Sequence, residues 1–317
     1  MGRSTQPELA VADSADRLAA RRRSTAVNLL VSVRPGEWTK NTFVFAGLVF
    51  GRRLTEPEAV AASVAAFLIF CALAGAVYLV NDVADRERDR QHPRKRLRPI
   101  ASGALSPRTA LGAAAVLAVC GVAASWWLRP AFGLIATSYV TLLALYSGPL
   151  KHIVIIDVLT IAIGFVLRVA AGAVAVDVPM SQWLLVCTIL LALFMGLSKR
   201  RHELTLLADG AIEHRRILQE YSPYLLDQMI SVVTASTLIA YVFYATSEET
   251  AAKFGTSLLG LTIPFPLYGI FRYLYLIHRR EGGGSPAELL LYDRPLLACV
   301  ALWGLAVVVI IYRPFGV

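Results

Sequence analysis

The chain has 317 residues, of which 56% are hydrophobic and only 17% charged, and its mean hydropathy is +0.59. A soluble domain carries about 25% charged residues, so this chain has too little polar side chain to face water on all sides. Apolar runs of roughly 20 residues recur and fit bilayer-spanning helices, which excludes a soluble globular enzyme; their continuity, without period-two alternation, argues against a transmembrane β-barrel.

Residues 1–26 mix Arg, Asp, Glu, Ser and Ala without a long apolar core and read as a disordered cytosolic tail rather than a secretory signal. Nine apolar segments follow, at about 39–51, 58–80, 107–127, 131–147, 153–176, 181–197, 226–245, 257–277 and 289–312. They predict an all-α polytopic membrane protein, a nine-helix bundle around a central cavity, with residues 27–317 as one transmembrane catalytic domain. The first segment is the weakest, being short and preceded by Arg34-Pro35-Gly36-Glu37-Trp38-Thr39-Lys40, and it sets the parity of the topology. With the N-terminus in the cytosol, 23 of the 31 Lys and Arg residues fall on the cytosolic side and five on the other, as expected for cytoplasmic loops. That bias accounts for the net charge of +9 without a nucleic-acid partner. The expected location is the bacterial inner (plasma) membrane, with the active site facing the cytosol.

The connections at 128–130 and 177–180 are short, whereas those after the second and sixth spans are long and charged, which makes the latter two the natural home of polar chemistry. Gly282-Gly283-Gly284-Ser285 reads as a flexible linker, since no Lys-Ser/Thr follows to make a phosphate loop. Cys71, Cys120, Cys187 and Cys299 lie far apart in apolar runs and read as buried small hydrophobes.

The segment after the second span reads Asn81-Asp82-x-x-Asp85-x-x-x-Asp89. On a continuing helix Asn81, Asp85 and Asp89 stand at i, i+4 and i+8, each step advancing about 6 Å and drifting about 40°, with Asp82 beside them. Stacked carboxylates repel unless a cation lies between them. Mg2+ suits such a stripe, because it accepts a few carboxylate oxygens and keeps other positions for water and substrate phosphate. The plainer explanation is a solvated helix end whose acids pair with Arg86, Arg88 and Arg90.

This motif resembles the first aspartate-rich motif of the UbiA superfamily of intramembrane prenyltransferases. The resemblance implies a nine-helix fold that binds Mg2+ and diphosphate at the cytosolic mouth of its cavity. It makes Asn81, Asp85 and Asp89 the leading metal ligands, with Asp82 close behind. Where that family carries a second acidic motif, after the sixth span, this chain reads Ser198-Lys199-Arg200-Arg201-His202-Glu203-Leu204. Three cations replace the acids and Glu203 remains. Lys and Arg are the usual partners of phosphate, so the departure favours a multiply phosphorylated substrate, although the cytosolic bias in charge explains any one of the three equally well.

Arg34 to Asn41, Tyr146-Ser147-Gly148-Pro149-Leu150-Lys151-His152, Gly164-Phe165-Val166-Leu167-Arg168 and Lys199-Arg200-x-x-Glu203 are together similar to a subgroup, the decaprenyl-phosphate phosphoribosyltransferases. The subgroup implies transfer of phosphoribosyl from PRPP to polyprenyl phosphate, for a precursor of cell-wall arabinan. It assigns catalysis to Asp82, Asp85, Lys151 and Glu203. Substrate binding falls to Lys40, Asn41, Arg98, Tyr146, Lys151, Arg168, Lys199, Arg200, Arg201 and Glu203, and the metal to Asn81, Asp82, Asp85 and Asp89. Arg168 lies 11 residues beyond Asp157 on the fifth span, about 16 Å along a helix. The two therefore cannot pair, and Arg168 must face the bundle interior, a polar cavity or an anion; Asp157 is a polar partner for the cavity rim. The five histidines show no metal-ligand spacing. The expected cofactor is Mg2+. The expected partners are PRPP, a polyprenyl phosphate and membrane lipid, and self-association stays open. An isoprenyl-diphosphate enzyme with an aromatic acceptor, or a transporter, are the competing readings.

Overall fold

The computed structural model describes residues 23–92, 95–208, 216–279, 289 and 292–312. Most of the expected tail, the Gly282–Ser285 linker and His214 lie outside the described residues. Among the described residues the chain is all helical: α1 (Thr25–Ser32), a 3-10 run over Pro35–Phe45, α2 (Ala46–Phe50), α3 (Pro57–Ala84), α4 (Arg86–Gln91), α5 (Pro107–Leu128), α6 (Pro130–Ser147), α7 (Ile156–Ala175), α8 (Gln182–Ala208), α9 (Pro223–Thr246), α10 (Glu248–Phe254), α11 (Pro264–Arg279) and α12 (Arg294–Tyr312). Short 3-10 turns at Lys95–Leu97, Leu150–His152, Arg216–Glu220 and Leu258–Thr262 join some of them.

Seven helices are long and apolar enough to cross a membrane: α3, α5, α6, α7, α8, α9 and α12. An eighth crossing arises if Glu248–Phe254 and Leu258–Ile277, bent by 104° at their break, form one span. The expected nine are not reached among the described residues. The first apolar segment becomes 11 residues of 3-10 helix and five of α-helix. Its entry is constrained, since Pro35 lacks an N–H and Arg34 has φ of +56°. At the bend, Gly255 takes the left-handed conformation, φ +69°, which glycine adopts at no steric cost.

Two stretches expected as loops continue helices. α3 runs beyond residue 80 to Ala84, and α8 runs through Ser198–Glu203 to Ala208. The second motif is thus a helix end rather than a loop. Lys, Arg, Glu and Leu are good helix formers, and hydropathy marks where the membrane ends, not where the helix does. α1 begins at Thr25, inside the stretch expected as tail, with the Ser24 side chain accepting from the Val27 N–H.

The chain divides into two compact units, residues 1–43 with 61–144, and residues 44–60 with 145–317. In the first, Leu79, Ile100, Leu105, Ala110 and Ala114 form a buried cluster joined by Leu29 and Val33, and Phe70 meets Phe132 edge to face and Tyr139 at a tilt. In the second, Val158 of α7, Phe194 and Leu197 of α8, Leu226 and Ile230 of α9, and Tyr273 of α11 share a core. A further cluster joins Tyr241, Tyr244, Phe254, Leu259, Val307 and Ile311. There the Tyr241 hydroxyl receives the Trp303 indole N–H at 2.8 Å. Of the cysteines, Cys71 and Cys299 are buried as expected, Cys187 is half-buried and Cys120 is exposed. Cys120 shares α5 with exposed Val116, Val119 and Trp127, an apolar surface suited to lipid.

Candidate active site

In the first unit, the Asn81–Asp89 segment keeps its helical hydrogen bonds across the α3–α4 join. The Asp85 N–H donates to the Asn81 carbonyl at 2.8 Å and the Asp89 N–H to the Asp85 carbonyl at 2.8 Å. The acids then diverge in environment. Asp82 and Asp89 are each 3% exposed, whereas the Asp85 side chain is half-exposed with Arg88 at 3.5 Å. Seven residues along a helix return the side chain to within about 20° of its start. Asp82 and Asp89 therefore share a face more closely than the Asn81–Asp85–Asp89 series does.

Arg98 exploits that alignment. Its Nη1 donates to Asp82 Oδ1 at 3.1 Å and to Asp89 Oδ2 at 2.6 Å. Arg34 pairs with the same Asp82 Oδ1, its guanidinium 4.7 Å from the centre of the Tyr78 ring. The plainer explanation of the acids is thus half met: Arg88 pairs with Asp85, but Arg90 turns to Glu87 and the Ala101 carbonyl. Nearby in sequence, Lys40 pairs with Glu37. Asn41 is buried and donates to Cys71 Sγ at 3.2 Å.

This donor set fits Mg2+. Two buried carboxylates already converge on a single cationic nitrogen, and Mg2+ is commonly held by one or two carboxylates with the remaining positions left to water and phosphate. No group of three or more His, Cys, Asp or Glu gathers around one point among the described residues, so an all-protein cage is not built.

In the second unit Arg200 is the centre. It is 1% exposed and its three nitrogens are all engaged: Nε donates to Asp157 Oδ2 at 2.8 Å, Nη1 to Glu203 Oε2 at 2.6 Å, and Nη2 to the Tyr146 hydroxyl at 3.3 Å. Asp157, fully buried, takes a second bond on Oδ1 from the Tyr221 hydroxyl at 2.9 Å. That hydroxyl in turn accepts the Ile155 N–H at 2.7 Å. Burial pushes the Tyr221 hydroxyl up to about 12, the Ile155 bond opposing and Asp157 reinforcing the shift, so near neutrality it stays protonated and donating. A buried ion pair is sustained only when further hydrogen bonds satisfy its remaining lone pairs, and here Tyr146, Tyr221 and Glu203 do so.

The neighbours of Arg200 point elsewhere. Lys199 is half-exposed, 4.0 Å from Glu203 Oε1, and Arg201 forks onto Asp227 of α9. Lys151 lies on the 3-10 turn Leu150–His152, and no ion-pair partner for it occurs among the described residues. Arg168 is buried on α7, its guanidinium 5.1 Å from the Phe165 ring. Within its unit, then, the structure brings together Asp82, Asp89 and Arg98, and separately Tyr146, Lys199, Arg200 and Glu203. Sequence reasoning left out Arg34, Tyr221 and Asp227, and gave Asp157 only a rim role. Arg34 had a signal, since it begins the Arg34–Asn41 motif; Tyr221, 64 residues from Asp157, had none.

The described residues are thus all helical, with an acid–arginine cluster in one unit and a buried arginine hub in the other. A profile of the UbiA prenyltransferase family matches residues 42–292. A Mycolicibacterium smegmatis protein named decaprenyl-phosphate phosphoribosyltransferase is 35% identical over 87% of this chain and 89% of its own length. The Mycobacterium tuberculosis protein of the same name is 32% identical over 86% and 90%. Among solved structures, a UbiA homolog from Archaeoglobus fulgidus bound to GPP and Mg2+ superposes with a TM-score of 0.68 at 19% identity, covering 89% of this chain and 99% of that one. The chain belongs to the UbiA prenyltransferase family. It is a multi-pass membrane protein and a transferase enzyme, and the transporter reading loses its ground.

Proposed function

We propose that the protein transfers the 5-phosphoribosyl group from PRPP to a polyprenyl phosphate, decaprenyl phosphate in the named relatives, at the cytosolic face of the bacterial plasma membrane. Diphosphate is released, and the product serves as a precursor of cell-wall arabinan. The observation that carries this reading is the end of α8, where Lys199, Arg200 and Arg201 stand in place of a second acidic motif and the lone Glu203 is bound by Arg200. The relatives at 32–35% identity over most of both chains bear the same activity in their names.

In the reaction, a phosphate oxygen of the lipid forms a bond to the anomeric carbon of the ribose. The carbon–oxygen bond to diphosphate breaks, and the electron pair leaves with diphosphate. The attacking oxygen is already anionic, so no general base is required, and none of the described histidines needs a role. Catalysis rests on placement and on charge stabilisation. Asp82 and Asp89, with Asn81 and Asp85, would hold Mg2+, whose chemistry is to neutralise charge on the departing diphosphate. Arg98 bridges the two buried acids and holds them aligned, and Arg34 pairs with Asp82. Lys151 and Lys199 contact the donor's phosphates, with Lys40 and Arg168 assigned to the acceptor. Glu203, half-buried and fixed by Arg200, accepts from ribose hydroxyls. Residues 27–317 act as one catalytic domain.

Purified protein with Mg2+ and labelled PRPP should move label into a polyprenyl phosphate acceptor. Transfer from an isoprenyl diphosphate to an aromatic acid, with PRPP ignored, would overturn this reading in favour of an ordinary UbiA-type prenyltransferase.

A further inference from the structure

The segment between α6 and α7 carries Lys151 and is tied at both ends to one post. At its start the Tyr146 hydroxyl accepts from Arg200 Nη2 at 3.3 Å. At its end the Ile155 N–H donates to the Tyr221 hydroxyl, which donates to Asp157, which accepts from Arg200 Nε. Lys151 stands five residues after the first tether and four before the second. The second tether falls on a strained backbone: Ile155 has φ of +69° and ψ of −44°, a region a β-branched residue rarely enters. Such an outlier persists only where its surroundings over-determine it, and here the Tyr221 hydroxyl grips the strained residue's own N–H.

We propose that Tyr221 is a positioning residue for the donor site: by clamping Ile155 to the buried Asp157–Arg200 pair it fixes the Lys151 segment at the height where its ammonium group meets a donor phosphate. Tyr221 touches no substrate itself. The hydroxyl is needed rather than the ring, because it must accept from Ile155 and donate to Asp157 at once, and phenylalanine does neither. The inference rests on reading Lys151 as a donor-phosphate contact.

The test is a double-mutant cycle on the full-length protein in detergent with Mg2+, reading kcat and the KM values for PRPP and for polyprenyl phosphate in wild type, Lys151→Ala, Tyr221→Phe and the double variant. Loss of one charge-assisted contact should raise the KM for PRPP about 10-fold or more in Lys151→Ala. Tyr221→Phe should raise it roughly 10-fold as well, leaving the KM for the lipid unchanged. The double variant should be no worse than Lys151→Ala alone, because both remove the same contact. A residue that merely supports packing would lower the active fraction and hence the apparent kcat, without moving the KM for PRPP. If Tyr221→Phe keeps the wild-type KM, or if the two effects multiply, the positioning role is overturned while the donor reading of Lys151 stands. If Lys151→Ala leaves the KM untouched, or wild type does not use PRPP, the donor reading falls and the positioning role falls with it. Should Tyr221→Phe lose its helical signal, Asp157→Asn, which keeps an oxygen for Tyr221 but weakens the bond to Arg200, should show the same non-additive pattern, and multiplying effects there would equally overturn it.

Discussion

Lys199, Arg200 and Arg201 are three consecutive cations with three different surroundings. Neighbouring helix positions differ by about 100°, so one residue faces outward beside Glu203, one enters the core against Asp157, and one reaches Asp227. Their substitutions should separate accordingly. Lys199→Ala should raise the KM for PRPP by about 10- to 150-fold, the value of one charge-assisted contact, with an unchanged melting temperature. Arg200→Met leaves Asp157 buried without its counter-charge and should cost about 3–5 kcal/mol of stability, read as a lowered thermal midpoint in detergent. A wild-type KM in the first, or an unshifted midpoint in the second, would reverse the assignments. The sequence showed that cations stood here but not which one was internal. α8 is apolar over most of its length, so no polar face existed from which to read direction, and two of the three side chains that Arg200 bonds lie 43 and 54 residues away. The Asp82–Asp89 pair was closer to legible, because a seven-residue spacing is visible in the chain, whereas the i, i+4, i+8 stripe drew attention to Asp85.

Among the elements, α2 and α7 meet backbone to backbone. A Cβ on Gly172 would lie 1.8 Å from the Val44 carbonyl oxygen and one on Gly47 would lie 2.6 Å from the Ala173 nitrogen. These atoms cannot rotate away as a side chain does, so Gly172→Ala should cost at or above the upper end of the roughly 1–3 kcal/mol typical of overpacking. Gly112→Ala on α5, where nothing lies within 4 Å, should gain up to about 1 kcal/mol from helix propensity. Thermal midpoints measured side by side check the contrast, and equal shifts in both would remove the close approach. α5 and α6 were read from the sequence to within a residue because each begins at a proline and each is bounded by polar residues; Ser106 caps the first directly. The 3-10 run was not, since hydropathy carries no information on whether apolar residues wind three or 3.6 to the turn.

At the scale of the whole molecule, the number of crossings turns on that run. A 3-10 helix rises about 2.0 Å per residue, so Pro35–Phe50 has about 30 Å of contour, close to the hydrocarbon thickness of about 30 Å with only 16 residues. Nine crossings place reporters fused at the two ends of this chain on opposite faces of the membrane, and that is the expected result; reporters on the same face would remove either this segment or the bent α10–α11 pair from the count. The all-helical class and the charge asymmetry were legible because both depend on composition, while the bend at Gly255 depends on one backbone conformation. The same first segment also carries a schedule. The Tyr312 hydroxyl shares its one proton between the Leu48 and Val49 carbonyls and accepts the Leu54 N–H, joining residues 264 positions apart. At synthesis rates of about 5–20 residues per second, Leu48 is joined to the chain roughly 13–53 s before Tyr312 is. Until then the Tyr312 tie to α2 cannot form, so the earliest apolar segment to be made gains its last side-chain bonds only when the final helix is in place.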